Sequence, residues 1–230
     1  RTVDLDGDPE VATVELVAEL DDLIAGGPAN RQRAIRGRRH FERRWTHRPR
    51  PVLEPDLQRM DPQRTGPERG RVVLVTGGTG QVGMRLTERL VDLGDDVVLT
   101  SRTEPTGEAA ERLAAWPGVR WERCDVAEPG ALTDLVRRVI DEHGRLDIVV
   151  HAPVVVDITA FEEMDAGTIA TSIAPKVDGV DELAAALDAA GISPRVVLMS
   201  SAAGTIGGFG LSAYVAASRY LDGIAHTRRD

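Results

Sequence analysis

The sequence predicts an α/β fold, a doubly wound parallel sheet, with a small N-terminal segment in front of it. Three observations support this prediction. From residue 71 onward, short runs rich in β-branched residues alternate with stretches of helical periodicity, as is typical of a parallel sheet covered on both faces. A glycine-rich loop follows the first of these runs, where a helix is predicted to begin. Upstream, residues 49–70 contain five prolines and few apolar residues, which indicates a linker.

The region before residue 71 has two further parts of distinct composition. Residues 9–25 place apolar side chains at helical spacing, so we expect an amphipathic helix that ends at residues 26–28, Gly-Gly-Pro. Residues 31–50 hold nine arginines among few apolar residues, and we expect a strand or an extended arm there. These arginines either bind an acidic partner or form a solvated face balanced by the acidic helix. With the linker, these parts make up an N-terminal segment of residues 1–70.

The second region, residues 71–230, carries five predicted strands and the helices between them. The strands are predicted at 71–76, 97–100, 119–124, 146–151 and 195–200. Helices are expected from the glycine-rich loop to about residue 93, at 107–115, at 128–142, at 161–190 with an interruption near Pro175, and from about Ala213 onward.

Composition excludes several classes of function. With 230 residues, 42% of them hydrophobic, the chain can bury a core. A net charge of -9 and an aromatic content of 3% argue against binding to nucleic acid or to an anionic membrane surface. A single cysteine, Cys124, excludes an internal disulfide, and the five histidines lack partners at metal-ligand spacing. No apolar run approaches the roughly 20 residues of a membrane span. We therefore expect a cytoplasmic protein without a metal site.

The glycine-rich loop indicates a dinucleotide site. Three glycines are spaced three residues apart, directly after a buried strand. In such a loop the first glycine permits the tight turn, the second lets a pyrophosphate approach the backbone, and the third lets helix and strand pack closely. An ordinary tight turn is the alternative. The expected cofactor-binding residues of the loop are Gly77, Gly78, Thr79, Gly80, Gln81, Val82 and Gly83.

The ends of the next two strands bear on which nicotinamide cofactor is used. Ser101 and Arg102 end the second strand, and their hydroxyl and guanidinium suit the 2′-phosphate of NADPH. Glu104 favours the alternative cofactor, NAD, because its carboxylate could turn toward the free ribose hydroxyl of NAD. The balance favours NADPH. After the third strand, Asp125 could accept from an adenine amino group or cap the next helix, and both interpretations stay open.

Lys176 is the single lysine among 28 basic residues. Arginine is not deprotonated in proteins, whereas the pKa of a lysine can move and its ammonium is a compact donor. Either the chemistry of this lysine is needed, or it has survived by chance.

Residues 71–230 resemble a short-chain dehydrogenase/reductase, and more closely the ketoreductase domain of a modular polyketide synthase. The resemblance rests on residues 76–83 (TGGTGQVG), 99–102 (LTSR), 125–126 (DV), 149–152 (VVHA), 173–179 (IAPKVDG), 199–204 (MSSAAG) and 214–222 (YVAASRYLD). It implies a Rossmann-like sheet that lacks the last strands and the lid of the family domain. It also implies that NADPH is bound by Asp125, Val126, His151 and Ala152 in addition to the loop. Residues 31–50 share a weaker similarity with the structural subdomain of that family.

The resemblance implies ketone reduction by three side chains. Tyr214 would donate the proton, although a phenol with its ordinary pKa near 10 is a poor acid at neutral pH. Ser201 would hydrogen-bond the carbonyl oxygen, and Lys176 would stabilise the phenolate and hold the nicotinamide ribose. Ser218, one helical turn after Tyr214, is the fourth candidate catalytic residue and stands where the family has an asparagine. It offers one hydroxyl in place of an amide, so either the proton relay continues through water or activity is reduced.

Three further positions depart from the family pattern. Val154 stands where the family has a glycine close to the cofactor, and its side chain could crowd that site. The aspartate that marks one hydroxyl configuration is shifted by one residue, to Asp157. The tryptophan that marks the opposite configuration is replaced by Ile206. The configuration associated with the aspartate is favoured.

These observations leave three functions open. The first is reduction of a β-ketoacyl thioester on an acyl carrier protein, with NADPH, among the neighbouring domains of a polyketide synthase. The second is a degenerate ketoreductase that serves as a scaffold, which Ser218 and Val154 favour. The third is a free-standing reductase of a small ketone. The proline-rich linker and the start at Arg1 disfavour the third, because they suit a piece of a larger polypeptide.

Overall fold

The computed structural model describes residues 70–227 and the backbone of three short strands nearer the N-terminus. Two compact units make up the chain, Arg1–Arg64 and Thr65–Asp230. Each unit is described by itself below.

The first unit contains a three-stranded sheet. Its strands are β1 (Thr2–Leu5), β2 (Gln32–Arg36) and β3 (Arg39–Glu42), in that order. β1 runs parallel to β2, and β2 runs antiparallel to β3. The strand expected within residues 31–50 is therefore present, as a pair. The predicted helix at 9–25 and the predicted linker at 49–70 lie outside the described residues, apart from Gly70.

The second unit is built on a five-stranded parallel sheet, which confirms the predicted fold class. Its strands are β4 (Val72–Thr76), β5 (Asp96–Ser101), β6 (Val119–Arg123), β7 (Ile148–His151) and β8 (Arg195–Leu198). Their order is β6-β5-β4-β7-β8. The chain thus adds β5 and β6 on one side of β4. It then crosses back and adds β7 and β8 on the other side of β4. This reversal opens a crevice at the carboxyl ends of β4 and β7.

Helices connect the strands. Their bounds are α1 (Gln81–Asp92), α2 (Glu108–Ala115), α3 (Ala131–His143), α4 (Ala166–Ile173), α5 (Val177–Ala190), α6 (Ala203–Ile206) and α7 (Ser212–Thr227), with a 3₁₀ turn at Phe161–Glu163. The predicted interruption near Pro175 is confirmed, since α4 and α5 are separate helices. Proline has no backbone N–H and disfavours a helical conformation of the residue before it, so a continuous helix is unfavourable here.

Each face of the sheet packs on its own set of helices. Val72 and Leu74 point to the face covered by α3 and α5, whereas Val73 and Val75 point to the face covered by α1. This alternation follows from the two-residue repeat of a strand. In α3, the buried residues are Leu132, Leu135, Val136 and Val139, which form one stripe along the helix.

Two negative findings apply to the described residues only. Over these ranges, no helix combines the length and the apolar character that crossing a bilayer would need. The same residues bring together no group of three or more His, Cys, Asp or Glu side chains that could hold a metal ion.

The two faces of α3 predict contrasting effects on stability. Leu135→Ala should lower the free energy of unfolding by about 2–5 kcal/mol, because the side chain is fully buried and its loss leaves a cavity. Arg137→Ala is the control on the same helix. Its ion pair with Asp134 is well exposed, so we expect a loss below about 1 kcal/mol. Urea unfolding of the chain measures both values, and similar losses in the two variants would contradict the assignment of the core.

Candidate active site

The candidate site lies where the carboxyl ends of three neighbouring strands meet. Thr76 at the end of β4 pairs with His151 at the end of β7, and His151 pairs with Leu198 at the end of β8. Because these strands are parallel, the loops that follow them emerge at the same edge. The glycine-rich loop, the segment after His151 and residues 199–202 therefore line one crevice.

The glycine-rich loop needs glycine at both of its ends. Gly77 has a positive φ of 66°, and a Cβ there would lie 2.6 Å from the Cα of Pro153. A Cβ on Gly83 would lie 2.4 Å from the backbone oxygen of Gly78. Contacts this close exclude any side chain. The first glycine thus allows the loop to pass the segment after β7, and the third allows α1 to pack against the loop.

The N-terminus of α1 presents an uncapped end to the crevice. Gly80 is its N-cap residue and makes no side-chain cap, and the first turn has no acidic residue. Gly80, Gln81 and Val82 are exposed, while Thr79 is half-buried. Unpaired N–H groups and the helix dipole make such an end favourable for a phosphate. The residues present therefore fit the pyrophosphate of a dinucleotide.

The end of β5 differs from expectation at one of its two residues. The hydroxyl of Ser101 donates to the backbone oxygen of Thr103 at 2.8 Å and accepts from the indole nitrogen of Trp121 at 2.8 Å. Since a serine has one proton to donate, Ser101 in this arrangement has none left for a phosphate. Arg102 is exposed, and among the described residues its guanidinium has no ion-pair partner. The positive charge at this strand end is thus the feature that suits a 2′-phosphate.

Asp125 closes a local turn after β6. Its Oδ1 accepts from the backbone N–H of Ala127 at 3.1 Å, whereas the N-cap residue of α3 is Gly130. The interpretation that Asp125 caps the next helix is therefore wrong, because its carboxylate closes a turn five residues before that helix's N-cap. Val126 is buried beside Gly179, and Cys124 is buried in the core, where burial raises the pKa of its thiol.

Lys176 lies in the turn between α4 and α5, with only 3% of the residue exposed. Its ammonium donates to the backbone oxygen of Met199 at 2.5 Å and lies 5.7 Å from the centre of the Tyr214 ring. Burial lowers the pKa of Lys176, while the negative charge of Asp222 opposes that shift. A charged group this deep needs such partners to stay ionised.

Tyr214 and Ser201 lie in two other elements, and Tyr214 is the one whose ring lies beside this lysine. Tyr214 lies in the first turn of α7 and is half-buried. The hydroxyl oxygen of Ser201 accepts from the backbone N–H of Ala203 at 3.1 Å, just before α6. Accepting this bond fixes the oxygen and leaves the hydroxyl proton available to a second partner. The structure thus brings Lys176 against Tyr214 and places Ser201 two residues after the carbonyl that holds the lysine.

Ser218 is fully buried one turn further along α7. Among the described residues its hydroxyl has no hydrogen-bond partner, although its backbone oxygen accepts from the hydroxyl of Ser200 at 3.0 Å. Gly204 of α6 lies close beside it, since a Cβ on Gly204 would be 3.3 Å from the Cβ of Ser218.

The ring of His151 is fully buried and is hydrogen-bonded at both of its nitrogens. Nδ1 is 2.9 Å from the hydroxyl oxygen of Thr76, and Nε2 is 3.1 Å from the backbone oxygen of Pro175. The next residue, Ala152, donates its N–H to the backbone oxygen of Thr76 at 3.0 Å. Both ring nitrogens of His151 and the N–H of Ala152 are therefore engaged, so the predicted contact of these residues with a cofactor would have to come from their other atoms.

The segment after β7 runs along the mouth of the crevice. Val154 is 55% exposed, and Asp157 accepts from the hydroxyl of Thr159 at 2.8 Å. Thr159 in turn donates its backbone N–H to the oxygen of Gly210 at 3.1 Å. This bond ties the segment to the loop before α7. Ile206, the last residue of α6, is 69% exposed.

Sequence reasoning missed the residues that act through their backbone or hold a neighbour. Met199 supplies the carbonyl for Lys176, Thr76 and Pro175 hold the His151 ring, and Trp121 holds Ser101. A backbone carbonyl leaves no signal in residue type.

The comparisons with known proteins agree with this geometry. Residues 71–230 match the family model of the KR domain. The chain belongs to the KR domain family. It is 36% identical over 99% of its length to the spectinabilin polyketide synthase system protein NorA' of Streptomyces orinoci. It is 37% identical over 69% of its length to the polyketide synthase GfsA of Streptomyces halstedii. By its family and by these relatives, the chain is a KR domain of the polyketide synthase type.

Solved structures share the fold. An N-terminal ketoreductase from the macrolactin assembly line has a TM-score of 0.64 at 26% identity, over 70% of this chain and 34% of that chain. A short-chain dehydrogenase/reductase from Burkholderia phymatum, solved in complex with NAD, has a TM-score of 0.63 at 20% identity, over 71% of this chain and 60% of that chain. The chain spans 6% of NorA' and 2% of GfsA, a small part of the synthases it matches.

The charge of Asp222 gives a prediction for the lysine. Asp222→Asn removes the negative charge that opposes desolvation, so the pKa of Lys176 should fall further below its ordinary value. Because the chain has one lysine, selective ¹³C,¹⁵N labelling of lysine gives its titration directly by NMR. Asp188→Asn, at the exposed far end of α5, is the control and should leave the titration unchanged. Equal titrations in wild type and Asp222→Asn would contradict the assignment.

Proposed function

We propose that the chain is a catalytically competent ketoreductase domain that uses NADPH to reduce a β-ketoacyl thioester on an acyl carrier protein. The product is the corresponding β-hydroxyacyl thioester. The observation that carries the proposal is the buried ammonium of Lys176, 5.7 Å from the centre of the Tyr214 ring, with the hydroxyl of Ser201 on the neighbouring segment. The resemblance assigns these three residue types to ketone reduction, and here they belong to segments that meet at one edge of the sheet.

Each of the three side chains has its own role in the reaction. NADPH, when bound, supplies the hydride that reaches the carbonyl carbon. Tyr214 donates its proton to the carbonyl oxygen, acting as a general acid. Ser201 donates a hydrogen bond to the same oxygen as negative charge develops on it. The positive charge of Lys176 beside the ring favours the phenolate that the proton transfer leaves behind.

The crevice suits a dinucleotide at both of its phosphate positions. The uncapped N-terminus of α1 fits the pyrophosphate, and the glycines beside it leave the backbone accessible. Arg102 at the end of β5 fits the 2′-phosphate that distinguishes NADPH from NADH. Asp125 has its Oδ1 in the local turn, so an adenine contact would fall to its other oxygen.

The similarity to polyketide synthases supports a proposal about the partners of this chain. NorA' and GfsA are named as a polyketide synthase system protein and a polyketide synthase, and this chain matches a small part of each. We therefore propose that the chain works among the neighbouring domains of a synthase in the cytoplasm. Its substrate would be presented by an acyl carrier protein. We also propose that residues 71–230 form the catalytic domain and residues 1–70 a partial structural subdomain with its linker.

A scaffold without catalysis is the second candidate, and Ser218 is the observation that favours it. This serine stands where the resemblance expects an asparagine, and its hydroxyl has no partner among the described residues. A proton relay through this position would need a connection that the described side chains do not provide. Turnover by the wild-type chain separates the two candidates directly.

Substitution of the two tyrosines tests the reaction. Tyr214→Phe should lower kcat by about 10²-fold or more, because it removes the general acid. Tyr220→Phe is the matched control, since Tyr220 donates to Asp181 on the surface and should retain activity. The loss of NADPH absorbance with a β-ketoacyl thioester mimic measures both. NADPH binding without wild-type turnover, or no binding at all, would favour the scaffold.

Substitution of Arg102 tests whether the chain prefers NADPH to NADH. Arg102→Ala should raise the KM for NADPH by about tenfold or more, because hydrogen bonds to charged groups contribute about 1.5–3 kcal/mol. The KM for NADH should change little. Arg89→Ala, on the exposed side of α1 away from the crevice, is the control for loss of a positive charge. Equal effects on the two cofactors would contradict the assignment of Arg102 to the 2′-phosphate.

A further inference from the structure

We infer that His151 is a positioning residue that holds Lys176 in place from two sides, through its ring and through its backbone oxygen. The catalytic meaning of this inference rests on the proposed function, because Lys176 acts there beside Tyr214. The structural part of the inference concerns only the placement of the lysine, and it can be tested without turnover.

The hydrogen bonds of the ring define its protonation. The backbone oxygen of Pro175 can only accept, so Nε2 of His151 carries a proton and donates across 3.1 Å. Burial lowers the pKa of His151 to about 4, and the positive charge of Lys176 acts in the same direction. In the neutral ring Nδ1 is then an acceptor, and the hydroxyl of Thr76 donates to it across 2.9 Å. The ring therefore bridges the end of β4 to the turn that carries the lysine.

The backbone of His151 supports the side chain of the same lysine. Its oxygen accepts from the N–H of Met199 at 2.9 Å, and the oxygen of Met199 accepts from the ammonium of Lys176 at 2.5 Å. Pro175, whose oxygen the ring holds, is directly bonded to Lys176. The contacts thus form a closed circuit from His151 through Pro175 and Lys176 to Met199 and back. One residue fixes both the backbone and the ammonium of the lysine.

The turn between α4 and α5 needs such a support. α4 ends at Ile173 and α5 begins at Val177, and proline between them cannot donate a backbone hydrogen bond. Pro175 is buried, and within residues 70–227 the ring of His151 is the partner of its oxygen, so losing the ring would leave this oxygen unpaired in the interior. Gly179 lets the first turn of α5 lie against the ring, since a Cβ there would be 3.1 Å from Cε1 of His151.

Two substitutions separate the two hydrogen bonds of the ring. In His151→Gln the side-chain amide nitrogen reaches the position of Nε2 and can still donate to Pro175, but the bond from Thr76 is lost. In His151→Asn the side-chain oxygen reaches the position of Nδ1 and can still accept from Thr76, but the bond to Pro175 is lost. The pair is therefore matched in polarity and in the number of bonds removed. A purely structural role of the ring would give similar effects in both.

The lone lysine provides a readout that does not require activity. With lysine labelled at Cε and Nζ, the full chain gives one side-chain signal, from Lys176. We expect the dispersed signal of a buried ammonium in wild type and in His151→Gln, and a shift toward the signal of free lysine in His151→Asn. Thermal melting of each variant checks that it is folded. An unchanged lysine signal in folded His151→Asn would overturn the inference.

Kinetics give the second readout. We expect kcat to fall by about 10- to 100-fold in His151→Asn, because a small misplacement of a catalytic group has effects of that size. The KM for NADPH should stay within about twofold, and His151→Gln should recover most of kcat. Equal losses of kcat in the two variants would also overturn the inference.

The remaining outcomes are distinguishable. If the wild-type chain shows no turnover, the proposed function fails, and the lysine signals alone decide the role of His151. If His151→Asn does not fold, the wild-type chain still tests the geometry, because ¹⁵N NMR of histidine must show a neutral ring protonated at Nε2. A ring protonated at Nδ1 would break the bond to Pro175 and overturn the inference.

Discussion

A buried positive charge organises this end of the sheet. Lys176 is almost wholly removed from solvent, and an ammonium in such a place is stable only with partners that replace water. The carbonyl of Met199 and the face of Tyr214 provide them at short range, and Asp222 does so through its charge. An arginine could not take this position with the same partners. Its planar fork carries five N–H donors, and a single carbonyl would leave most of them unpaired in the interior. A chain that otherwise uses arginine for every basic residue therefore has a physical reason to keep one lysine here.

The fold delivers those partners through strand order and register. β7 and β8 are neighbours, and His151 pairs with Leu198, so the oxygen of Met199 emerges directly beyond the sheet edge. The break at Pro175 turns the chain so that Lys176 enters the crevice from the side of α5. Close approaches of backbone make this possible, and they occur at glycine. Gly77 passes Pro153, and Gly179 lies against the His151 ring, at distances that leave no room for a Cβ or require the neighbour to yield.

Much of the fold could be predicted from the sequence, because its signals are local. All five strands of the parallel sheet could be predicted, four of them from β-branched runs, and the glycine spacing identifies the start of α1. The predicted positions of the strand ends were less accurate. The run at 195–200 is predicted as strand, yet β8 ends at Leu198, since the chain then turns to direct the oxygen of Met199 toward Lys176. The site was predicted as a set of side chains. The hydrogen bonds that hold these side chains could not be predicted. The bonds of Ser101 to Thr103 and Trp121, and those of His151, depend on which atoms the strand register brings together.

Ser218 shows how packing and chemistry constrain each other at this site. Its hydroxyl is buried without a partner among the described residues, which is uncommon because an unpaired polar group in the interior is costly. Gly204 of α6 lies close to Ser218, since a Cβ on Gly204 would be 3.3 Å from the Cβ of Ser218 and one of the two helices would have to shift slightly to accept it. Ser201 lies two residues before α6, held by the N–H of Ala203, so displacing that helix would also move the hydroxyl that faces the substrate in the proposed reaction. The short side chain of Ser218 is therefore compatible with the observed placement of Ser201. The chain then lacks the longer asparagine amide that the resemblance expects in the proton relay. In the proposed reaction the chemistry rests on Lys176, Ser201 and Tyr214, and a proton relay would have to run through water where the amide is missing.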